Sequence, residues 1–139
     1  MQRRTFIKDS GIMLCACAAG PTLLAACGTA IHVVKDVERE GEYMQIKAGE
    51  LDVVGFAVIP ETRHGFPLYI SVKDGHYYAV LLKCSHKGCE LEPGARLLKC
   101  PCHGSTFRST GEPVKLPATE PLQTFPVSVS EGIIRIKVG

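Results

Sequence analysis

Cys84-Ser85-His86-Lys87-Gly88-Cys89 and Cys100-Pro101-Cys102-His103-Gly104-Ser105 gather four of the chain's seven cysteines and two of its five histidines into 22 residues. Each stretch offers one Cys followed closely by one His, as C-x-H in the first and C-x-x-H in the second, and each leaves a further Cys over. Two thiolates with two imidazoles form a mixed donor set, since soft thiolates hold iron–sulfur clusters or zinc and imidazole serves iron and zinc alike. A closed tetrahedral zinc module uses the same four donors. Two structural disulfides would use the cysteines and leave both histidines idle.

Outward from these boxes the pattern is β. Residues 68–72 and 76–82 alternate or run apolar around Lys73-Asp74-Gly75, and residues 127–130 and 133–138 do so around Glu131-Gly132. Asp-Gly between such runs is a strong hairpin signal. Residues 53–59 predict a further strand ended by Pro60, and no helix longer than a turn or two is indicated after residue 42. The first box follows the strand ending at Leu82, and the second follows Leu97-Leu98. Glu92-Pro93-Gly94-Ala95 supplies the turn between them, so both boxes sit on loops at strand ends. Tyr77 and Tyr78 read as sheet packing, and His64 and His76 as surface residues.

The boxes resemble the C-T-H-x-G-C and C-x-C-H-G-S motifs of the Rieske family. The resemblance implies an all-β fold, a Rieske-type antiparallel sandwich or barrel with a small cluster-binding subdomain, and a two-iron two-sulfur (2Fe-2S) cluster. It implies Cys84 and Cys100 on one iron, His86 and His103 on the other, and a Cys89–Cys102 disulfide as in high-potential members. Histidine in place of two thiolates raises the reduction potential, and histidine ligands make it pH-dependent. Ser105 matches the serine that bonds a bridging sulfur. Phe107 stands where high-potential members usually carry Tyr, which removes one donor and predicts a moderated potential. Lys87, beside Gly88, stands where the family usually carries Leu against an apolar quinol site, and a charge is costly to bury there. The Gly-Pro-Ala-Pro stretch of the family is met only by Leu116-Pro117-Ala118-Thr119.

The N-terminus predicts where this chemistry works. Residues 2–8, with Arg3 and Arg4, resemble the twin-arginine export signal, and residues 11–26 are apolar apart from Thr22. That run is short against the ~20 residues of a membrane span. Leu24-Ala25-Ala26-Cys27 resembles the lipobox of bacterial lipoproteins, in which the Cys is lipidated. The expected organisation is a signal over residues 1–26, with ordinary cleavage or an uncleaved N-terminal anchor as the alternatives to lipidation. A lipid-anchored tether follows over 27–42, with a reach of roughly 50 Å that a short helix or packed strand around residues 31–34 would shorten. The Rieske domain covers 43–139, its cluster loops at about residues 83–108. The cysteine accounting then closes: Cys15 and Cys17 leave with the signal, Cys27 takes lipid, and the rest serve iron and one disulfide. A disulfide is expected on the oxidising side of the membrane. An oxygenase-type ferredoxin, cytoplasmic by resemblance, fits this poorly.

The whole chain carries 16 Lys and Arg against 14 Asp and Glu. Without residues 1–26 the balance is 13 against 13, which gives no indication of nucleic-acid binding. Lys83, Lys87, Arg96, Lys99 and Arg108 face only Glu90 and Glu92 within the cluster region, a basic rim suited to steering an acidic redox partner. The sequence therefore reads as one-electron transfer on the outer face of a bacterial membrane. It fits a membrane-anchored carrier or an electron-transfer subunit of a periplasmic oxidoreductase, working with a cytochrome or oxidoreductase subunit. The alternatives are a quinol-oxidising subunit of a cytochrome bc-like complex, with quinol and cytochrome b as partners, and a structural zinc module.

Overall fold

The computed structural model describes residues 30–60 and 62–139; Arg3, Arg4 and Cys27 lie outside them. The chain forms β1 (Glu38–Glu40), β2 (Tyr43–Lys47), a 3-10 turn (Ala48–Leu51), β3 (Phe56–Ile59), β4 (Leu68–Lys73) and β5 (His76–Leu81). Then come β6 (Leu97–Lys99), β7 (Thr106–Arg108), β8 (Pro113–Lys115), β9 (Thr124–Phe125), β10 (Val127–Ser130) and β11 (Ile133–Lys137). Both expected hairpins are present. Asp74 and Gly75 (φ 52° and 76°) join β4 to β5, and Glu131 and Gly132 (φ 52° and 74°) join β10 to β11. Two successive positive φ values match the right-handed twist of the flanking strands.

Three antiparallel sheets result, in the orders β1-β2-β11-β10, β3-β4-β5-β9 and β6-β7-β8. The second sheet is the middle layer, and the alternation of its side chains builds two cores. Ala57, Ile59, Leu68, Ile70 and Ala79 point to Met44, Ile46, Ile134 and Ile136 of the first sheet. Phe56, Val58, Tyr69 and Val80 point the other way, to Leu82, Leu91, Leu98 and Phe107 of the box-bearing layer. A strand covered on both faces needs a continuous apolar run, which is why Phe56-Ala57-Val58-Ile59 is buried throughout.

One expectation is corrected. The strand begins at Phe56 rather than Val53, because the chain turns through the 3-10 segment and Gly55 (φ 79°), leaving Val53 65% exposed. Within residues 30–40, Val34 is buried and the chain on either side of it is hydrogen-bonded to the body. Val33 bridges Val58 in parallel, the Val34 N–H donates to the Val58 carbonyl and the Val58 N–H to the His32 carbonyl, and β1 pairs with β2. Val34 is an apolar residue with an open edge beside β3, and its burial in the first core outweighs the extension that the neighbouring charges favour. His32 pairs with Glu50 of the 3-10 turn. His76 is exposed, whereas His64 is half-buried and donates to the Val138 carbonyl at 2.8 Å. Among the described residues no helix is long and apolar enough to cross a membrane.

Candidate metal centre

The two boxes share one backbone design. In the first, the Cys84 N–H donates to the Cys89 carbonyl and the Gly88 N–H to the Cys84 carbonyl, both at 2.8 Å. In the second, Cys100 donates to Ser105 at 2.8 Å and Gly104 to Cys100 at 3.0 Å. Each loop closes through a Gly in its fifth place, with φ 75° at Gly88 and 78° at Gly104, a conformation that costs a residue with a Cβ about 1 kcal/mol or more. On this common frame the first place is Cys in both loops. The histidine is in the third place of one and the fourth of the other, so the two sequences put unlike side chains on like positions.

Hydrogen bonds brace the loops against each other. Glu92 and Lys99 exchange two backbone bonds at 2.8 and 3.0 Å, the Leu91 N–H reaches the Leu82 carbonyl, and the Ser85 hydroxyl donates to the Glu120 carbonyl at 2.7 Å. Cys89 and Cys102 form a disulfide across the two boxes. The Sγ atoms of Cys89, Cys100 and Cys102 lie within 4.8 Å of one another. Two of these sulfurs are bonded to each other, so the trio offers only one free thiol and is not itself a metal site.

Among the described residues the free thiols are those of Cys84 and Cys100, both buried. Burial pushes the Cys84 thiol above its ordinary range, the backbone N–H of His86 opposes this, and the neighbouring Cys100 thiol adds to the rise. The His86 and His103 rings stand edge to face with centroids 4.9 Å apart. His86 Nδ1 is buried without a hydrogen-bond partner, an arrangement that is expensive unless something not hydrogen-bonded takes the lone pair. Two adjacent thiols, an orphaned imidazole nitrogen and a second imidazole beside it fit a group that takes two sulfur and two nitrogen donors.

Around these donors, Ser105 is fully buried and its Oγ accepts a hydrogen bond from the Ala118 N–H at 3.0 Å. Acceptance on one side leaves the hydroxyl proton to point elsewhere. Phe107 is fully buried against the second core and brings no donor. Lys87 is exposed between His86 and Gly88. Sequence reasoning did not single out Ala118 as the partner of Ser105. It placed Lys83 on the basic rim but missed its contact: the Nζ lies over the Phe66 ring at 5.2 Å while the stem runs beside Gly88. Both links join residues distant in sequence and leave no local signal.

The profile of the Rieske [2Fe-2S] domain matches residues 28–126. The 3-phenylpropionate/cinnamic acid dioxygenase ferredoxin subunit of Photorhabdus laumondii is 40% identical over 70 residues, 47% of this chain and 67% of that protein. The cytochrome b6-f complex iron-sulfur subunit of Synechococcus sp. strain JA-3-3Ab is 32% identical over 82 residues, 56% of this chain and 48% of that one. The chain thus spans about half to two thirds of the curated relatives it matches. Among solved structures, the plasma membrane Rieske protein PetC3 of Synechocystis PCC 6803 aligns with a TM-score of 0.58 at 29% identity, covering 66% of this chain and 94% of that one.

Proposed function

Because this chain belongs to the Rieske [2Fe-2S] domain family, an electron-transfer domain with a 2Fe-2S cluster, we propose that Cys84 and Cys100 hold one iron and His86 and His103 the other. The observation that carries this assignment is the convergence of two buried free thiols with the orphaned Nδ1 of His86 and the neighbouring ring of His103. When bound, the cluster supplies a reversible one-electron step at a potential raised by its histidine donors.

The chain's own residues set the conditions of that step. Cys84 and Cys100 are buried and would keep their side of the centre dry, whereas His103 is exposed and His86 half-buried, so their side is open to solvent. The Ala118 N–H orients the Ser105 hydroxyl, leaving its proton for a sulfur acceptor. The disulfide keeps the two loops at a fixed separation.

The protein is a carrier or electron-transfer subunit on the outer face of a bacterial membrane, exported through Arg3 and Arg4 and anchored by lipid on Cys27. The disulfide supports an oxidising compartment, and the likeness to a plasma membrane Rieske protein supports the membrane. The dioxygenase ferredoxin relative supports a redox partner of the oxidoreductase class. A second reading, quinol oxidation beside a cytochrome b, draws on the b6-f relative. Exposed Lys87 weighs against it, since its charge would have to enter an apolar quinol site.

Visible absorption and the reduced-state EPR signal of the holoprotein, with Cys84→Ser and His86→Ala variants, test the centre. Retention of both signals in either variant overturns the ligand assignment. Mass spectrometry of the mature N-terminus tests the anchor, and co-purification of a cytochrome b would favour the second reading.

A further inference from the structure

The Sγ atoms of Cys89, Cys100 and Cys102 lie within 4.8 Å of one another, and two of them already share a bond. The third belongs to a free thiol that is 3% exposed. Cys84, the other free thiol among the described residues, is not within that distance of all three sulfurs. Cys100 therefore stands beside a disulfide that it can attack, shielded from reagents that arrive through solvent. A nucleophile held next to its target reacts far ahead of one that must be captured from solution.

The two ends of the disulfide are not equivalent. Cys102 is exposed and Cys89 half-buried, and a sulfur that leaves towards water carries away its electron pair more readily than one that leaves into the protein. Attack on Cys102 would also close a ring over Pro101 alone. Attack on Cys89 joins the two boxes again, over a loop much like the present one of 13 residues.

We propose that Cys100 has two alternative bonds, to iron or to Cys89, and that once iron is lost the second withdraws it from the ligand set. The Cys100–Cys89 sulfur bond forms as the Cys89–Cys102 bond breaks. The electron pair of the broken bond goes to Cys102, which takes the proton that Cys100 gives up. One disulfide and one thiol stand on each side of the step, so no oxidant or reductant is consumed. This rests on the ligand assignment above and adds a consequence to it. Two thiolates with two imidazoles also hold zinc, and the exchange trades the buried donor Cys100 for the exposed Cys102. A chain that has shed its iron is thereby latched against taking zinc instead, until a reductant frees Cys100.

The test strips iron from the holoprotein with a chelator in buffer free of thiols, and labels samples with N-ethylmaleimide over a time course. Mass spectrometric peptide mapping then locates the label, expected on Cys102, with Cys89 joined to Cys100. A bridge that stays Cys89–Cys102, or a label on Cys89, overturns the proposal. A Cys84–Cys89 bridge also overturns it, since that pairing marks scrambling in an unfolded chain. Two variants compare chains that each lack one ligand. Cys84→Ser keeps the attacking thiol, so Cys102 becomes labelled; Cys100→Ser removes it, so Cys102 stays unlabelled. Equal labelling of Cys102 in both overturns the exchange, and where either variant lacks the far-UV circular dichroism of the wild type, the stripped wild type decides. Zinc carried through a desalting column is kept by freshly stripped chain, lost after the exchange and regained with a reductant; equal zinc in all three samples overturns the latch. Absorption before chelation reads the centre separately. Cys102 labelled in a chain purified without cluster absorption upholds the exchange and sinks the ligand assignment, whereas a cluster-bearing chain whose Cys102 never takes label sinks the exchange alone.

Discussion

The Ser105 hydroxyl serves two ends, and its removal separates them. In Ser105→Ala the buried Ala118 N–H loses its acceptor, at a cost of about 1–3 kcal/mol, visible as a lower midpoint in urea. The hydrogen bond to a cluster sulfur proposed above would be lost too, so the potential is expected to fall. Phe107→Tyr is expected to raise the potential by about 40 mV, the equivalent of about 1 kcal/mol for one electron. A lower or unchanged value in protein-film voltammetry would count against the moderated potential. Lys83 is held near the first box by its contact with Phe66. Lys83→Met should lower the equilibrium constant for electron uptake about threefold, roughly 30 mV, since a positive neighbour favours the reduced cluster.

Tyr69 is a residue whose effect depends on pH. Its O–H donates to the Gly94 carbonyl at 2.9 Å, and burial pushes its pKa up from 10.0 to about 12. The folded state therefore favours the protonated phenol. The stability tied to it is complete below pH 10 and is lost as pH climbs from 10 towards 12. Tyr69→Phe should flatten this slope in urea melts run at pH 9 to 12, and an unchanged slope would assign the alkaline loss to another group.

At the scale of elements, the disulfide and the glycine turns fix the boxes in different ways. Cys89 and Cys102 are 13 residues apart, and closing such a loop contributes about 3 kcal/mol in the chain-entropy description. Cys89→Ala/Cys102→Ala should lower the melting temperature by about 10 °C or more. Gly104→Ala isolates the backbone contribution. No atom lies within 4 Å of the added methyl, so its cost of about 1 kcal/mol comes from the positive φ alone.

The same scale shows what sequence can reveal. The hairpins were legible because Asp74-Gly75 and Glu131-Gly132 lie inside their own turns, and the ligand boxes because their Cys and His sit a few residues apart. The start of β3 was not legible, since Val53 and Val54 are as apolar as strand residues, and the 3-10 turn before them carries Val53 out to solvent. The Ser105–Ala118 and Tyr69–Gly94 links were hidden for another reason: each joins segments whose proximity exists only after the sheets have assembled.

Across the whole molecule, the middle sheet is the shared wall of both cores. Loss of apolar volume on either side should be felt by the whole fold. Val34→Ala, in the first core, is expected to cost about 1–3 kcal/mol. Far-UV circular dichroism and cluster absorption should then be lost in one transition. Two separate transitions would show that the box-bearing layer stands independently of its support.

The packing of residues 32–34 has a mechanical consequence. They run parallel to β3 and are held to it by two lateral hydrogen bonds at 2.9 Å, with Val34 buried behind them. Tension entering from the N-terminal side acts along the strand, so it loads both bonds and the buried valine in shear at once instead of peeling them in turn. The joint between the folded body and whatever precedes it is therefore built to resist a pull.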